Sequence, residues 1–485
     1  MLLNYRLILK IIAVVLVIFG LSMIVPIIIC IYYEESTIAF LIPSIVLIGS
    51  GSLILYTNKP RSFDLKIRDG FLIVALCWIT ASIFGSLPFM ISGVIPNFID
   101  AFFESSSGFT TTGATILSDV ESLPKGILFW RSFTHWLGGM GILLLAIALL
   151  PSLGISGQRL VDAEASGPYI DKFTSKMSDS AKLLYFMYIG MTIAETVLLM
   201  MGGLSFFDSI IHTFGTVSTG GFSNYNNSIA HFNSTYVELV ICFFMIMAGT
   251  NFNLYFIALG SKLKNIFRDG EYRAYLTLIL VVTIIFTIQL LYFESENSFV
   301  ESLRHSFFQT VSILTTTGFI TKDFNIWPAA SKSIIFILMF IGGCSSSASG
   351  SVKVVRVLVL LKLIIRGVYK RLHPTAVVPV KLNKKNIPSD SVSSITSFLF
   401  LYISLFLIST LIVCLDQVDL MTAASAAAAC LGNIGPGFEN VGPESCYGIF
   451  STPIKLYLSF LMIAGRLEIF TLLLLLTPKF WNPDR

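Results

Sequence analysis

Apolar runs of membrane-crossing length follow one another along almost the whole chain. With about 20 apolar residues as the length of one crossing helix, spans are predicted near 7–32, 37–57, 70–92, 126–151, 181–202, 235–260, 273–293, 331–366, 394–415 and 453–476. The pattern predicts an all-α polytopic membrane protein with ten transmembrane helices. Four shorter apolar segments, 100–110, 207–218, 301–314 and 419–431, are too short to cross and read as re-entrant half-helices. Each runs into a polar strip: Thr-Thr-Thr-Gly-Ala at 110–114, Ser-Thr-Gly-Gly-Phe at 218–222, Thr-Thr-Thr-Gly-Phe at 315–319 and Gly-Asn-Ile-Gly-Pro at 432–436. The aligned glycines, Gly113, Gly221, Gly318 and Gly435, are 108, 97 and 117 residues apart.

This spacing divides the chain into a two-helix N-terminal extension (1–60) and four membrane–pore-loop–membrane repeats in pseudo-fourfold relation. The repeats run over 61–160, 161–262, 263–385 and 386–485. Two echoes support the division. Arg-Asp-Gly opens the third span at 68–70 and recurs at 268–270, and Gly138 and Gly342 follow Gly113 and Gly318 by 25 and 24 residues. Asp100 and Asp208 each lie 13 residues before their glycine, where an aspartate is expected to cap a half-helix. Glu301 and Asp419 lie 17 and 16 residues before theirs, so the repeat is not strict there.

Composition agrees with a membrane protein. The chain is 55% hydrophobic and 12% charged, against about 25% charged in soluble domains. A net charge of +4 points to no nucleic-acid partner, and the seven cysteines form no CxxC pair. Lys and Arg concentrate in the connections at 59–68, 152–182, 262–273 and 362–385, which share one side with both termini. By the positive-inside rule both termini of this multi-pass chain are cytoplasmic, and the four strips face outward. The basic stretch 362–388 reads as a stop signal, as a contact for anionic lipid or as a contact for a regulatory protein. No P-loop, dinucleotide fingerprint or nucleophile elbow occurs. The chain is therefore not expected to be an enzyme or to hold a covalent cofactor, and any nucleotide control must come through a partner.

Four Thr/Gly strips around one axis are suited to a ring of backbone carbonyls that replaces the hydration shell of a cation. The expected filter comprises Thr111, Thr112 and Gly113; Thr219, Gly220 and Gly221; Thr316, Thr317 and Gly318; and Asn433, Ile434 and Gly435. The eighth span is 36 residues long, too long for one straight crossing. Its middle holds Gly342, Gly343, Ser345, Ser346, Ser347, Ser349 and Gly350, with Lys353 just beyond. Glycine and serine there oppose helix, so a broken helix is expected, with a polar loop across the pore. The competing reading is a small-residue packing face.

Arg466 lies near mid-membrane, where an arginine must face protein or water. Either it holds the gate loop by its carbonyls, or it pairs with Glu468 or Glu195. Glu104 adds negative potential at the outer mouth or bonds nearby backbone. His135, His212 and His305 share no metal-like spacing, and Asn251 and Asn253 line an inner cavity or pack between helices.

With these residues in hand, the chain resembles the Trk/Ktr/HKT superfamily of cation transporters, in particular its Trk-type uptake subunits. The resemblance runs nearly end to end. It is carried by Arg-Asp-Gly-Phe-Leu-Ile-Val (68–74), Ala-Phe-Phe-Glu-Ser (101–105), Trp-Leu-Gly-Gly-Met-Gly-Ile (136–142), Phe-Gln-Thr-Val-Ser (308–312), Phe-Ile-Gly-Gly-Cys (340–344) and Gly-Arg-Leu-Glu-Ile-Phe-Thr-Leu-Leu (465–473), beside the strips themselves. It implies potassium uptake across a bacterial inner membrane, with K+ as the transported ion at the filter residues. Glycine in all four key positions, where a serine in the first goes with sodium permeation, favours potassium. It further implies a homodimer, a cytosolic nucleotide-binding regulatory ring of the TrkA type, and a gate loop on the residues named above. The alternative is a symporter coupling potassium to H+ or Na+, with Glu195 as its carboxylate.

Overall fold

The computed structural model describes residues 3–58, 66–141, 177–255, 263–293, 298–383 and 385–482. The ends of the predicted 126–151 and 235–260 spans lie outside these residues, as do most of the 152–182 connection, Lys384 and the repeat boundaries at 60, 160 and 262.

The chain is mostly helical. Helices α1 (Tyr5–Ser22), α2 (Ile24–Tyr32) and α3 (Ile38–Thr57) form the N-terminal hairpin, which packs on α4 (Ile67–Ile91). A repeating pattern follows: a long outer helix, a short helix folded back against it, and an inner helix. In order these are α4, α5 (Phe98–Phe109) and α6 (Lys125–Gly139); then α7 (Met177–Met201), α8 (Phe206–Val217) and α9 (Thr235–Ala248). The third set is α10 (Gly270–Tyr292), α11 (Phe299–Leu314) and α12 (Ala329–Leu338), continued after a break by α13 (Val354–Leu372). The last set is α14 (Ser389–Val413), α15 (Leu420–Gly432) and α16 (Thr452–Arg466), followed by α17 (Phe470–Leu476) and α18 (Pro478–Trp481). Each short helix packs on the long one before it.

Among the described residues six helical segments, α1 and α2 together counting as one, are long and apolar enough to cross a membrane, or seven if the bent pair α16 and α17 is one span. Their outer faces expose large apolar side chains, among them Ile45, Leu53, Ile193, Leu280, Ile288, Phe400 and Leu411. Such a belt suits hydrocarbon, whereas the short helices are buried at the centre from Ala101 to Phe109 and from Thr422 almost without interruption to Gly432. One departure from an all-α chain is a two-stranded antiparallel hairpin, β1 (Lys381–Leu382) with β2 (Lys385–Asn386).

The predicted caps need correction. Asn97 and Ser205 cap α5 and α8, and Asp100 and Asp208 lie three residues further on, within the first turn. Ser205 and Asp208 bond reciprocally, since the Asp208 amide and carboxylate both use the Ser205 hydroxyl. Of the four acids aligned before the strips, Asp419 alone is itself a cap, accepting the amides of Met421 and Thr422. The predicted span 331–366 is broken between Leu338 and Val354, as the glycine and serine content suggested. The predicted span 453–476 is also broken, turning by 116° after Arg466. Glu468 (φ +56°) and Ile469 (φ +55°) leave the helical region there. Opposed bonding accompanies the turn: Arg466 reaches the carbonyls of Ala348 and Gly138, while Glu468, two residues on, pairs with Arg356 at 2.7 Å.

Candidate pore, filter and gate

Each half-helix ends in the same way. The residue two before the key glycine is left-handed in all four strips: Thr111 (φ +54°), Thr219 (+58°), Thr316 (+58°) and Asn433 (+53°). Each next amide returns to the carbonyl five residues back: Thr112 to Ser107, Gly220 to Gly215, Thr317 to Ser312 and Ile434 to Ala429. That is a Schellman cap. The key glycines follow, again with positive φ: Gly113 (+81°), Gly221 (+79°), Gly318 (+79°) and Gly435 (+100°). A left-handed β-branched residue is a backbone outlier, costing about 1–3 kcal/mol. Three threonines in that state at equivalent positions are a strong structural mark of function. The fourth strip, least like the others in sequence, has the same backbone because asparagine tolerates the left-handed region.

The strips meet in a closed cycle. A Cβ on Gly113 would lie 2.2 Å from the Gly220 carbonyl oxygen, one on Gly221 1.9 Å from that of Thr317, and one on Gly318 2.0 Å from that of Ile434. One on Gly435 would lie 2.6 Å from the carbonyl oxygen of Thr112, which returns to the start. Each glycine thus admits the backbone of the next strip, and the predicted filter residues are brought together without exception. The outer connections continue the cycle: Val120 bonds Asn226, Ala230 bonds Ile320, Glu439 bonds Asn325, and Tyr447 bonds the Thr115 carbonyl.

Buried side chains brace this ring from behind. Glu104 is fully buried. It pairs with Arg131 at 2.8 Å and accepts from Thr115 and the Ile116 amide, so the backbone-bonding reading holds. Arg131 also donates to the Ser223 carbonyl and lies 4.1 Å from the Phe222 ring centre, joining the first quarter to the second. His135 bonds the Gly108 carbonyl and stacks on Phe222. Its ring explains Gly220, where the neighbouring strips carry threonine, because a Cβ there would fall 2.5 Å from the imidazole. His212 bonds Ser223 and the Asp208 carbonyl, and His305 bonds Thr321. Among the described residues no cluster of His, Cys, Asp or Glu could hold a metal.

The segment between α12 and α13 is a closed loop whose neck is a bridge of Ile341 with Val352. It lies against the inner end of α9, through Cys344 to the Gly249 carbonyl and Ala348 to the Ala248 carbonyl. It also reaches the third strip, since the Gly350 amide donates to the Thr316 hydroxyl at 2.7 Å. Inside the loop, buried Lys353 donates to both oxygens of Ser347 and of Ser349. Arg466 donates to the Ala348 carbonyl at 2.8 Å and to the carbonyls of Gly138 and Gly139, both at 2.9 Å. Glu468 belongs to Arg356 instead, so the pairing of Arg466 with Glu468 is not formed. Asn251, three residues past the end of α9, donates to the Ser345 hydroxyl.

Comparison with known proteins bears on these features. Residues 36–482 match the profile of the TrkH family, described as cation transport protein. The Trk system potassium uptake protein TrkH of Halomonas elongata is 38% identical over 483 residues, covering 99% of this chain and 100% of that protein. The TrkH of Escherichia coli K12 is 37% identical over 484 residues, with the same coverage. The crystal structure of the potassium transporter TrkH from Vibrio parahaemolyticus superposes with a TM-score of 0.89 at 36% identity, covering 99% of this chain and 100% of that one. The chain belongs to the TrkH family.

The TrkH family is one of transporters, and the chain is not an enzyme. Some features of this TrkH-family chain were not singled out by its sequence. Glu271 accepts the Ser345 amide of the loop between α12 and α13, Arg356 takes Glu468, and the Tyr447 hydroxyl donates to the Gly435 carbonyl at 2.8 Å. Only the first left a trace, in the Arg-Asp-Gly echo that immediately precedes it.

Proposed function

We propose that this chain conducts potassium into a bacterial cell through a gated, potassium-selective pore, as the membrane subunit of a Trk system. The observation that carries the reading is the closed cycle of four strips with matching left-handed residues. Alternating φ signs turn successive carbonyls toward one side of a strip, and four such strips can together replace a hydration shell. Thr111 to Gly113, Thr219 to Gly221, Thr316 to Gly318 and Asn433 to Gly435 are the proposed ion ligands. Irregular backbone at membrane depth is tolerable where it lines a wet cavity.

The loop 342–350 is the proposed gate. It sits under Thr316, and the charges of Lys353 and Arg466 beside it oppose a passing cation. In this reading the basic connections and both termini are cytoplasmic, the membrane is the bacterial inner membrane, and the chain works as a homodimer with a nucleotide-binding regulatory ring. An inside-negative potential supplies about 2.3 kcal/mol per charge per 100 mV, so uptake needs no ATP hydrolysis by the pore.

A second reading, coupled symport, is favoured by Glu195, a fully buried carboxylate within α7. One experiment separates the two: rubidium uptake into proteoliposomes holding the purified protein, driven by voltage, with sodium as competitor. Voltage-driven, potassium-preferring flux without a proton or sodium gradient is the expected result. Flux that needs such a gradient and is lost in Glu195→Gln establishes the symporter.

A further inference from the structure

Glu271 stands in the first turn of α10 and is 5% exposed. Its Oε1 accepts the Ser345 amide at 2.6 Å and the Val355 amide at 3.2 Å, and its Oε2 accepts the Ser345 hydroxyl at 2.7 Å. Ser345 lies where the chain enters the gate loop, and Val355 lies where it leaves, in the first turn of α13. One carboxylate therefore joins both limbs of the loop. The choice of group has a physical reason. The Val355 amide is one of the unpaired donors at a helix start, where negative charge is favoured, and charge-assisted bonds are the strong ones. Arg466 and Lys353 hold the far side of the same loop, so the loop is clamped between one anion and two cations.

The residues just before Glu271 are tied to the cytoplasmic-side hairpin. Asp269 caps α10 by accepting the Tyr272 amide at 2.9 Å, and its other oxygen accepts from the Asn383 side chain at 2.6 Å. The Asn383 side-chain oxygen in turn accepts the Gly270 amide at 2.8 Å. Asn383 is the turn residue between β1 and β2 and is left-handed (φ +48°), which suits asparagine. Lys362 on α13 donates to the carbonyl of Lys381, so the hairpin also follows the helix that leaves the gate.

We propose that Glu271 is the positioning residue that holds the gate loop in its closed shape, and that the 381–386 hairpin is the handle through which a load on the cytoplasmic side releases it. The inference rests on the pore-and-gate reading. Its path is short: Asn383 fixes Asp269 and Gly270, these fix the start of α10, and Glu271 on that turn fixes Ser345 and Val355. Displacing the hairpin shifts the carboxylate relative to the two amides that donate to it.

The test is basal rubidium flux under an imposed voltage, with the full-length protein in proteoliposomes, for Glu271→Gln, Asn383→Ala, their combination, and Arg466→Ala as the control for the gate itself. Glu271→Gln is expected to raise basal flux about tenfold, the scale of a lost charge-assisted bond, with the preference of rubidium over sodium unchanged. Asn383→Ala should raise it about threefold, the scale of a neutral bond, and the combination should not exceed Glu271→Gln alone. A purely structural role would lower preference and flux together. If Arg466→Ala raises flux and Glu271→Gln does not, the positioning role is overturned while the gate stands. If neither does, the gate reading falls and this inference with it. A multiplicative double variant, or a silent Asn383→Ala, overturns the handle alone. Should Glu271→Gln fail to elute as a single folded species, Ser345→Ala replaces it, with about threefold expected and no change overturning the assignment.

Discussion

The proposed filter strips and the proposed gate loop lie in contact, yet they differ in how they are held. The filter is a backbone structure built four times: the same left-handed residue, the same return bond and the same glycine recur at each half-helix end. The proposed gate loop has no second copy among the described residues, and to its backbone bonds with the end of α9 it adds charged side chains, Arg466, Lys353 and Glu271. A backbone ring is stiff and changes only when a Cβ is forced into it. A loop held by a few charges has a second state within reach when one charge is moved. The contrast teaches where selection of the ion and control of its passage are expected to reside.

The largest effect should come from breaking the ring. Gly113→Ser puts a Cβ 2.2 Å from the Gly220 carbonyl oxygen at a residue with φ +81°. With about 1–3 kcal/mol of strain at such a position, preference for potassium over sodium should fall by about tenfold or more, read from competition in the flux assay. An unchanged preference would show that the ring of carbonyls is not the filter. Arg466→Ala should come next and act in the opposite place. Loss of three carbonyl bonds is expected to raise basal flux about tenfold and to leave preference alone. A shift in preference instead would dissolve the distinction between the two regions.

That distinction also governs what could be read in the sequence. The four converging strips were legible because backbone demands repeat: glycine where a Cβ cannot fit, and a polar residue before it, at near-equal spacing. The break in the eighth span was legible for the same reason, from glycines and serines that oppose helix. The clamps were not. Glu104 with Arg131, Arg356 with Glu468 and Glu271 with Ser345 join residues far apart in the chain, and pairing of that kind has no local signature. The caps were misread by one turn, because Asn97 and Ser205 compete for the role and an aspartate three residues on serves equally well as their partner. The bend after Arg466 was hidden in an apolar run whose two ends answer to different partners.

Asn433 tests the fourth strip at the border between the two kinds of holding. It carries the left-handed backbone, and its side chain also donates to the Thr112 hydroxyl and to the Met462 carbonyl, both at 3.0 Å. Asn433→Gly keeps the backbone and loses the bonds, whereas Asn433→Ala loses both. Alanine is expected to cost more thermal stability than glycine, by about 1 kcal/mol. Equal losses would mean that the side chain, and not the left-handed backbone, sets this strip.

The smallest effect should come from Tyr447. Its hydroxyl donates to the carbonyl of Gly435 at 2.8 Å, whereas the carbonyls of Gly113, Gly221 and Gly318 take no such bond among the described residues. Gly435 is also the glycine whose φ departs from the others, +100° against +79° to +81°. The phenol therefore holds the carbonyl of one key glycine by a side chain, while the carbonyls of the other three are left to the backbone. Tyr447→Phe removes one neutral bond, worth about 1 kcal/mol, and should shift the preference between potassium and rubidium by about fivefold at most, with basal flux unchanged. A rise in basal flux would place Tyr447 with the gate's holders instead, and the boundary between backbone-held filter and side-chain-held gate would then run through the fourth strip.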